Sequence, residues 1–182
     1  MSDLFHKEVP RLFIHSVFDT MEAANWHTYQ ILTKRSSLMV RYLRSRYGSE
    51  SAPPHIWLGV SIEDAKNAVR LKHLHAANAS IKFVSFEPLL GSVGKVDLKG
   101  IDWAIVGGES GPKARPMAEE WVIEIRDQCK ADKVAFFFKQ WGGVRPKSGG
   151  RLLRGREWNQ YPLVPEIENS ETTASIKRRA RV

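Results

Sequence analysis

The chain has 182 residues, of which 42% are hydrophobic, so it is long enough to form one domain with a substantial core. Its single cysteine, Cys129, excludes an intramolecular disulfide and cannot alone hold a zinc site or an iron–sulfur cluster. No apolar run reaches the length of a membrane helix, so we expect no membrane association. The net charge of +8 favours phosphate-bearing partners, although it is equally typical of a solvated basic surface.

Helical and strand-like segments alternate along most of the chain. In order, the pattern predicts a helix over 8–24, a strand over 28–33, a helix over 36–47, a strand over 56–60, a helix over 63–77, strands over 81–86 and 102–106, a helix over 117–130 and a strand over 134–138. The strand segments are continuously apolar, which is typical of parallel strands covered on both faces. We therefore expect an α/β fold with about five parallel strands and flanking helices.

Ionisable residues follow every predicted strand. Because the carboxyl ends of parallel strands share one edge of a sheet, these residues should converge there. The candidate ligand-binding residues are Lys34, Glu63, Glu87, Gly107, Gly108, Glu109, Ser110, Lys139 and Gln140. Such a mixture of charges can hold a zwitterionic or phosphorylated ligand. It can equally form a closed network of salt bridges without a ligand.

The glycine-rich loop over 107–111 is the strongest of these candidates. Glycine lacks a Cβ, so a ligand can approach its N–H groups closely, and Glu109 supplies a carboxylate. Glu63 has an alternative structural explanation, since a carboxylate is favoured in the first turn of a following helix. Lys34 can equally belong to the solvated start of the second helix. The six histidines show no metal-ligand spacing, so we expect no metal site, and the sequence assigns no catalytic residue.

Two clusters of basic residues are candidates for contact with nucleic acid. One lies around the second predicted helix and the other follows the last predicted strand. The candidate contact residues are Arg35, Arg41, Arg44, Arg145, Lys147 and Arg151. They motivate a second functional hypothesis, a non-catalytic phage protein that binds nucleic acid or a host-defence complex.

Several motifs in order resemble the phage gene-product 37/68 family over about residues 1–142. They are Ser2-Asp3-Leu4-Phe5-His6, His27-Thr28-Tyr29-Gln30-Ile31-Leu32-Thr33-Lys34-Arg35, Trp57-Leu58-Gly59-Val60-Ser61-Ile62-Glu63, Ser85-Phe86-Glu87-Pro88-Leu89-Leu90-Gly91, Asp102-Trp103-Ala104-Ile105-Val106-Gly107-Gly108-Glu109-Ser110-Gly111 and Phe137-Phe138-Lys139-Gln140-Trp141-Gly142. The resemblance implies a phage or prophage protein in the cytoplasm of a bacterial host. It also implies a relationship to radical S-adenosylmethionine (SAM) enzymes, which have a partial (β/α) barrel.

The same resemblance implies a segment that this sequence does not contain. Family members begin earlier, with a strand and a cysteine-rich loop that would ligate a [4Fe–4S] cluster. We therefore expect a truncated, partial TIM-type barrel over 1–165 without its own cluster, and a charged, disordered tail over 166–182. A [4Fe–4S] cluster is expected only if the preceding segment is present. The strand over 28–33 should be shielded by the first helix or paired with another chain.

The leading functional hypothesis is accordingly a radical-SAM-like barrel fragment. Its strand ends should bind SAM or a nucleotide-like ligand. In many radical SAM enzymes a Gly-Gly-Glu motif holds the methionine ammonium, but it follows an early strand, whereas Gly107-Gly108-Glu109 follows a late one. The expected partners are nucleic acid or a host or phage protein.

Overall fold

The computed structural model describes residues 3–145 and 148–164. The strands are β1 (Tyr29–Thr33), β2 (Ile56–Ser61), β3 (Lys82–Phe86), β4 (Trp103–Gly107) and β5 (Ala135–Gln140), and the helices are α1 (Arg11–Ala23), α2 (Ser36–Tyr47), α3 (Val69–His75) and α4 (Glu119–Asp132). The five strands form one parallel sheet in sequential order. This confirms the predicted α/β fold with flanking helices. The predicted tail over 166–182 lies outside the described residues.

All four helices pack on one face of the sheet. Alternate strand residues such as Leu58, Val84 and Phe138 join the buried residues of α1 to α4 in a single apolar core. Alternation follows from the pleat of a strand, which points successive side chains to opposite faces. The open sheet with helices on one side has the layering of part of a (β/α) barrel, and it does not close.

The opposite face of the sheet carries an aromatic layer. Trp57, Phe83 and Trp103 are buried there, and none of the helices described in the structure contributes to this cluster. Tyr161 packs on it, with its ring centroid 5.3 Å from that of Trp103 and 5.5 Å from that of Phe137. Both faces of the sheet are thus covered, the first by helices and the second in part by Tyr161 from the segment that follows β5.

The two edges of the sheet differ in their covering. Residues 158–160 run along β5, where Phe138 N–H donates to the Trp158 carbonyl and Gln160 N–H donates to the Phe136 carbonyl. On β1, Gln30 and Leu32 are exposed. The first helix contributes its buried side chains to the helix-side core. Pairing of β1 with another chain stays a prediction.

One helix is shorter than its sequence pattern suggests. The predicted helix over 63–77 is a short 3-10 helix, Ala65–Asn67, followed by α3. Asp64 ends the extended segment and caps this turn, since its carboxylate accepts hydrogen bonds from the backbone and side-chain N–H groups of Asn67. Glu63 therefore lies outside the helical segment, just after the end of β2.

Candidate functional site

Two ion pairs occupy the carboxyl edge of the sheet. Lys34 Nζ lies 2.5 Å from Glu63 Oε1, and Lys139 Nζ lies 3.0 Å from Glu87 Oε1. The lysine side chains are about half exposed, at 47% and 55%, while the carboxylates are 9% and 19% exposed. These four predicted residues at the strand ends therefore lie in two ion pairs. We call them the edge site.

Serine hydroxyls fix the position of Glu87 within the edge site. Ser85 donates to Glu87 Oε2 at 3.1 Å, and Ser61 donates to the Glu87 carbonyl at 3.0 Å. The two serines are register partners on β2 and β3, so the sheet itself sets their spacing. Both carboxylate oxygens of Glu87 are thus held, one by Ser85 and one by Lys139. A Cβ on Gly107 would lie 2.4 Å from Glu87 Oε1, so the glycine makes room for this carboxylate.

Glu63 is held by a second cation that the sequence did not reveal. Arg70 Nη1 lies 2.8 Å from Glu63 Oε2 and comes from α3, seven residues along the chain. Burial raises the pKa of Glu63, but hydrogen bonds from Lys34 and Arg70 outweigh it, so the net pKa lies below its usual range. The explanation of Glu63 as a favourable charge in a helical first turn is wrong, because Asp64 caps that turn.

The glycine-rich loop is packed against another backbone segment. A Cβ on Gly108 would lie 1.9 Å from the carbonyl oxygen of Trp141, and one on Gly142 would lie 2.1 Å from that of Glu109. The loop is tied to this segment by hydrogen bonds from Gly108 N–H to the Gln140 carbonyl and from Gly143 N–H to the Glu109 carbonyl. The absent side chains at 108 and 142 therefore serve close contact between two backbones.

Glu109 is bound by a residue six positions later in its own loop. Its carboxylate accepts hydrogen bonds from Arg115 N–H at 2.9 Å, Nε at 2.9 Å and Nη2 at 2.8 Å. These contacts lower the pKa of Glu109 to about 2. Beside it, Gln140 Nε2 donates to Ser110 Oγ at 2.9 Å. Glu109, Ser110 and Gln140 thus form local contacts within and beside the loop, and Glu109 does not pair with the lysines of the edge site.

Asp3 closes the end of β1 and was not identified from the sequence. Its carboxylate accepts hydrogen bonds from Thr33 Oγ1 at 2.6 Å, from Lys34 N–H at 2.9 Å and from Arg35 Nη1 at 3.1 Å. Burial opposes the charge, but these hydrogen bonds lower the pKa of Asp3 below its usual range. No sequence signal pairs residues 30 positions apart, whereas the fold brings the amino-terminal segment onto the strand end.

The candidate nucleic-acid residues are divided between opposite edges of the sheet. Arg41 and Arg44 are exposed on α2, which joins β1 to β2. Arg145 is also exposed, and Arg151 lies over the Phe137 ring of β5. Arg35 is engaged by Asp3. Lys147 lies outside the described residues.

Cys129 does not fit the role of a cluster or metal ligand. It is fully buried on α4, and burial raises the pKa of its thiol to about 12. Over residues 3–145 and 148–164, no group of three or more histidine, cysteine or acidic residues is placed to hold a metal ion. A [4Fe–4S] cluster needs several thiolates, so the described residues do not fit one. None of the helices in these ranges is long and apolar enough to cross a membrane.

These features define an open α/β fold with one five-stranded parallel sheet and a charged, serine-lined site at the carboxyl edge of that sheet. The chain belongs to the family described as Protein of unknown function (DUF5131), which matches residues 1–162. Comparison with curated proteins and with solved structures finds no match.

Proposed function

We propose that the chain binds SAM or a nucleotide-like ligand at the edge site, as a radical-SAM-like protein of phage or prophage origin. The observation that carries the proposal is the pair of half-exposed lysines, Lys34 and Lys139, held beside the carboxylates of Glu63 and Glu87. Ligands of α/β folds bind at the carboxyl ends of the strands, which is where these four residues lie.

The chemistry of the site suits a ligand that carries both charges. A carboxylate or phosphate of the ligand would contact Lys139, and an ammonium or ribose hydroxyl would contact Glu87. Ser85 already holds one oxygen of Glu87, so this carboxylate presents a fixed acceptor. Positioning before binding lowers the entropic cost of binding.

An apolar surface adjoins the charged residues on the same face of the sheet. Ile105 and Phe137 lie on the face of the sheet that carries the aromatic layer, two residues before Gly107 and Lys139 along their strands. Both are partly buried, and Tyr161 and Arg151 already contact the Phe137 ring, so Ile105 is the residue offered to a ligand. A ligand with a charged end and an apolar ring system, such as an adenosyl compound, would place its charged end at the ion pairs and its ring on the apolar residue.

The proposal concerns binding and includes no redox step. Cys129 is the sole cysteine and is buried on α4, so we assign no cluster to this chain. Any radical chemistry would depend on thiolates from the cysteine-rich segment that the phage-family resemblance implies. The residues of the edge site would then position the ligand.

Isothermal titration calorimetry with SAM and with ATP tests the proposal. Lys139→Gln should weaken both ligands, because each presents an anionic group. Glu87→Gln should lower the affinity for SAM, whose ammonium loses its partner. It should leave the affinity for ATP unchanged or raise it, because Lys139 is then unpaired. Glu119→Gln is the control, since it removes an equivalent carboxylate from an exposed pair with Arg154. Absence of binding to both ligands, or equal losses in the control, would contradict the proposal.

A second candidate function is the non-catalytic binding of nucleic acid or a host-defence complex. It is favoured by the net charge of +8 and by the exposed arginines on α2. Nucleic-acid binding that falls with salt and persists in Glu87→Gln and Lys139→Gln would support it. Insensitivity to salt would count against it.

A further inference from the structure

We propose that the cleft between α2 and α3 binds a phosphate group. The cleft is lined by Ser37, Val40, Arg41, Arg44, His73 and Ala76. The side chains of these residues carry two guanidinium groups, an imidazole and a hydroxyl, and none of the six residues is acidic. A concave surface with several donors and no carboxylate suits an oxyanion.

The two arginines of the cleft are available for a ligand. Both are exposed, and over residues 3–145 and 148–164 neither side chain has a hydrogen-bond or ion-pair partner. Their neighbour Arg46 differs, because Glu22 and Asp19 hold its guanidinium at 2.8 Å and 2.5 Å. The same helix therefore carries one arginine that links it to α1 and two that face outward without a partner.

Helical geometry brings these two arginines together. Residues three apart are neighbours on a helix surface, with about 5–6 Å between their Cβ atoms. The planar guanidinium fork donates two parallel hydrogen bonds to one oxyanion. Arg41 and Arg44 can therefore contact one phosphate from adjacent positions on α2.

His73 adds an imidazole whose ring is held in place. Its Nδ1 lies 2.9 Å from Ser36 Oγ, which orients the imidazole from the start of α2. Within the described part of the chain, Nε2 has no hydrogen-bond partner. Val40 and Ala76 add an apolar part to the lining of the cleft.

The phosphate can belong to a nucleic-acid backbone or to a free phosphorylated compound. Both sources present the same tetrahedral oxyanion, so the cleft is defined by that chemistry. The inference does not depend on the edge site, which lies at the strand ends. It also does not require the nucleic-acid function, because inorganic phosphate tests it directly.

The test is a titration followed by amide and arginine side-chain NMR, with inorganic phosphate as one probe and a short oligodeoxythymidylate as the other. The variant is Arg41→Gln/Arg44→Gln. The matched control is Lys99→Gln/Lys113→Gln, which removes the same charge from exposed positions elsewhere. Circular dichroism and the denaturation midpoint should be unchanged in both, since all four side chains are exposed.

We expect phosphate to shift resonances of the cleft, and we expect the arginine variant to bind it about tenfold or more weakly. The control should retain affinity within about twofold. If the arginine variant loses as much affinity for the oligonucleotide as for phosphate, the ligand is a backbone phosphate. If it loses affinity for inorganic phosphate alone, the ligand is a free phosphorylated compound. The proposal is overturned if phosphate shifts no cleft resonance, or if the control loses as much affinity as the variant.

Discussion

Two regions at the carboxyl edge of the sheet have a carboxylate near a glycine, but the group that packs against the glycine differs between them. At the edge site, Gly107 leaves space for the Glu87 carboxylate, which pairs with a half-exposed lysine. In the adjacent loop, Gly108 leaves space for the backbone of Trp141, and Glu109 is bound by Arg115. Both cations are more than half exposed, but Glu87 is held by groups on two strands of the sheet, whereas Glu109 is bound within its own loop.

The difference teaches that a glycine-rich loop after a strand is not sufficient to define a ligand site. Close approach to glycine can be made by a ligand or by another segment of the same chain. At Gly108 the second partner is present, because residues 140–143 run against the loop. The variants below compare the two regions, first by their effect on the free energy of unfolding and then by the pKa of Glu109.

The largest expected effect is on stability, from Gly108→Ala. A methyl group there would lie 1.9 Å from the Trp141 carbonyl oxygen, so the backbone must shift. We expect a loss of about 3 kcal/mol in the free energy of unfolding. The control is Gly91→Ala, because a Cβ at Gly91 has only an ordinary contact, at 3.8 Å. Equal stability of the two variants in chemical denaturation would show that the backbones do not pack as described.

The next effect comes from Glu63, which is buried between two cations. Glu63→Gln should cost about 2 kcal/mol at neutral pH, because Arg70 and Lys34 lose their charged partner. The pKa of Glu63 is lowered in the folded chain, so its contribution is present above the usual carboxyl pKa and is lost as the pH falls through the folded value. The stability difference from wild type, measured in urea down to about pH 3, should therefore shrink.

Glu119→Gln is the matched control for this pH series, since its partner Arg154 is exposed. Its stability should differ little from wild type at every pH. A difference for Glu63→Gln that stays constant as the pH falls would contradict the assignment of an ionised, ion-paired Glu63.

A smaller effect distinguishes the serines of the two regions. Ser85 is buried and donates to Glu87, whereas Ser110 is exposed and accepts from Gln140. We expect Ser85→Ala to cost about 1 kcal/mol and Ser110→Ala to cost less than about 0.5 kcal/mol. Paired denaturation curves measure the two. The reverse order would indicate that the loop, and not the edge site, holds the buried polar network.

The smallest effect on stability is expected at Glu109. Because Glu109 is half-buried and its ion pair with Arg115 is open to solvent, Glu109→Gln should change the denaturation midpoint little. Carboxyl NMR should nevertheless report a pKa of about 2 for Glu109, and Arg115→Gln should return this pKa towards its usual range. A normal pKa in the wild-type chain would show that Arg115 does not hold the carboxylate.

The sheet and the edge site were largely predictable because their signals are local. Apolar runs marked the five strands, and the charged residues after them located Lys34, Glu63, Glu87 and Lys139. Their pairing follows from parallel topology, which places all strand ends together.

The features that were missed depend on contacts that a local pattern does not encode. Asp3 reaches the end of β1 from 30 residues away, and Arg70 reaches Glu63 only because Asp64 shortens the following helix. The loop glycines gave a correct signal of close approach, but the sequence could not say that the approaching group is the backbone at Trp141.

The central claim is that the edge site, and not the Glu109 loop, receives the ligand. Amide NMR of the wild-type chain titrated with SAM tests it most directly. We predict the largest shifts at Ser61, Ser85, Glu87 and Lys139, with little change over 109–115. Shifts concentrated at Glu109 and Arg115, with the resonances of Ser61, Ser85, Glu87 and Lys139 unmoved, would contradict the account.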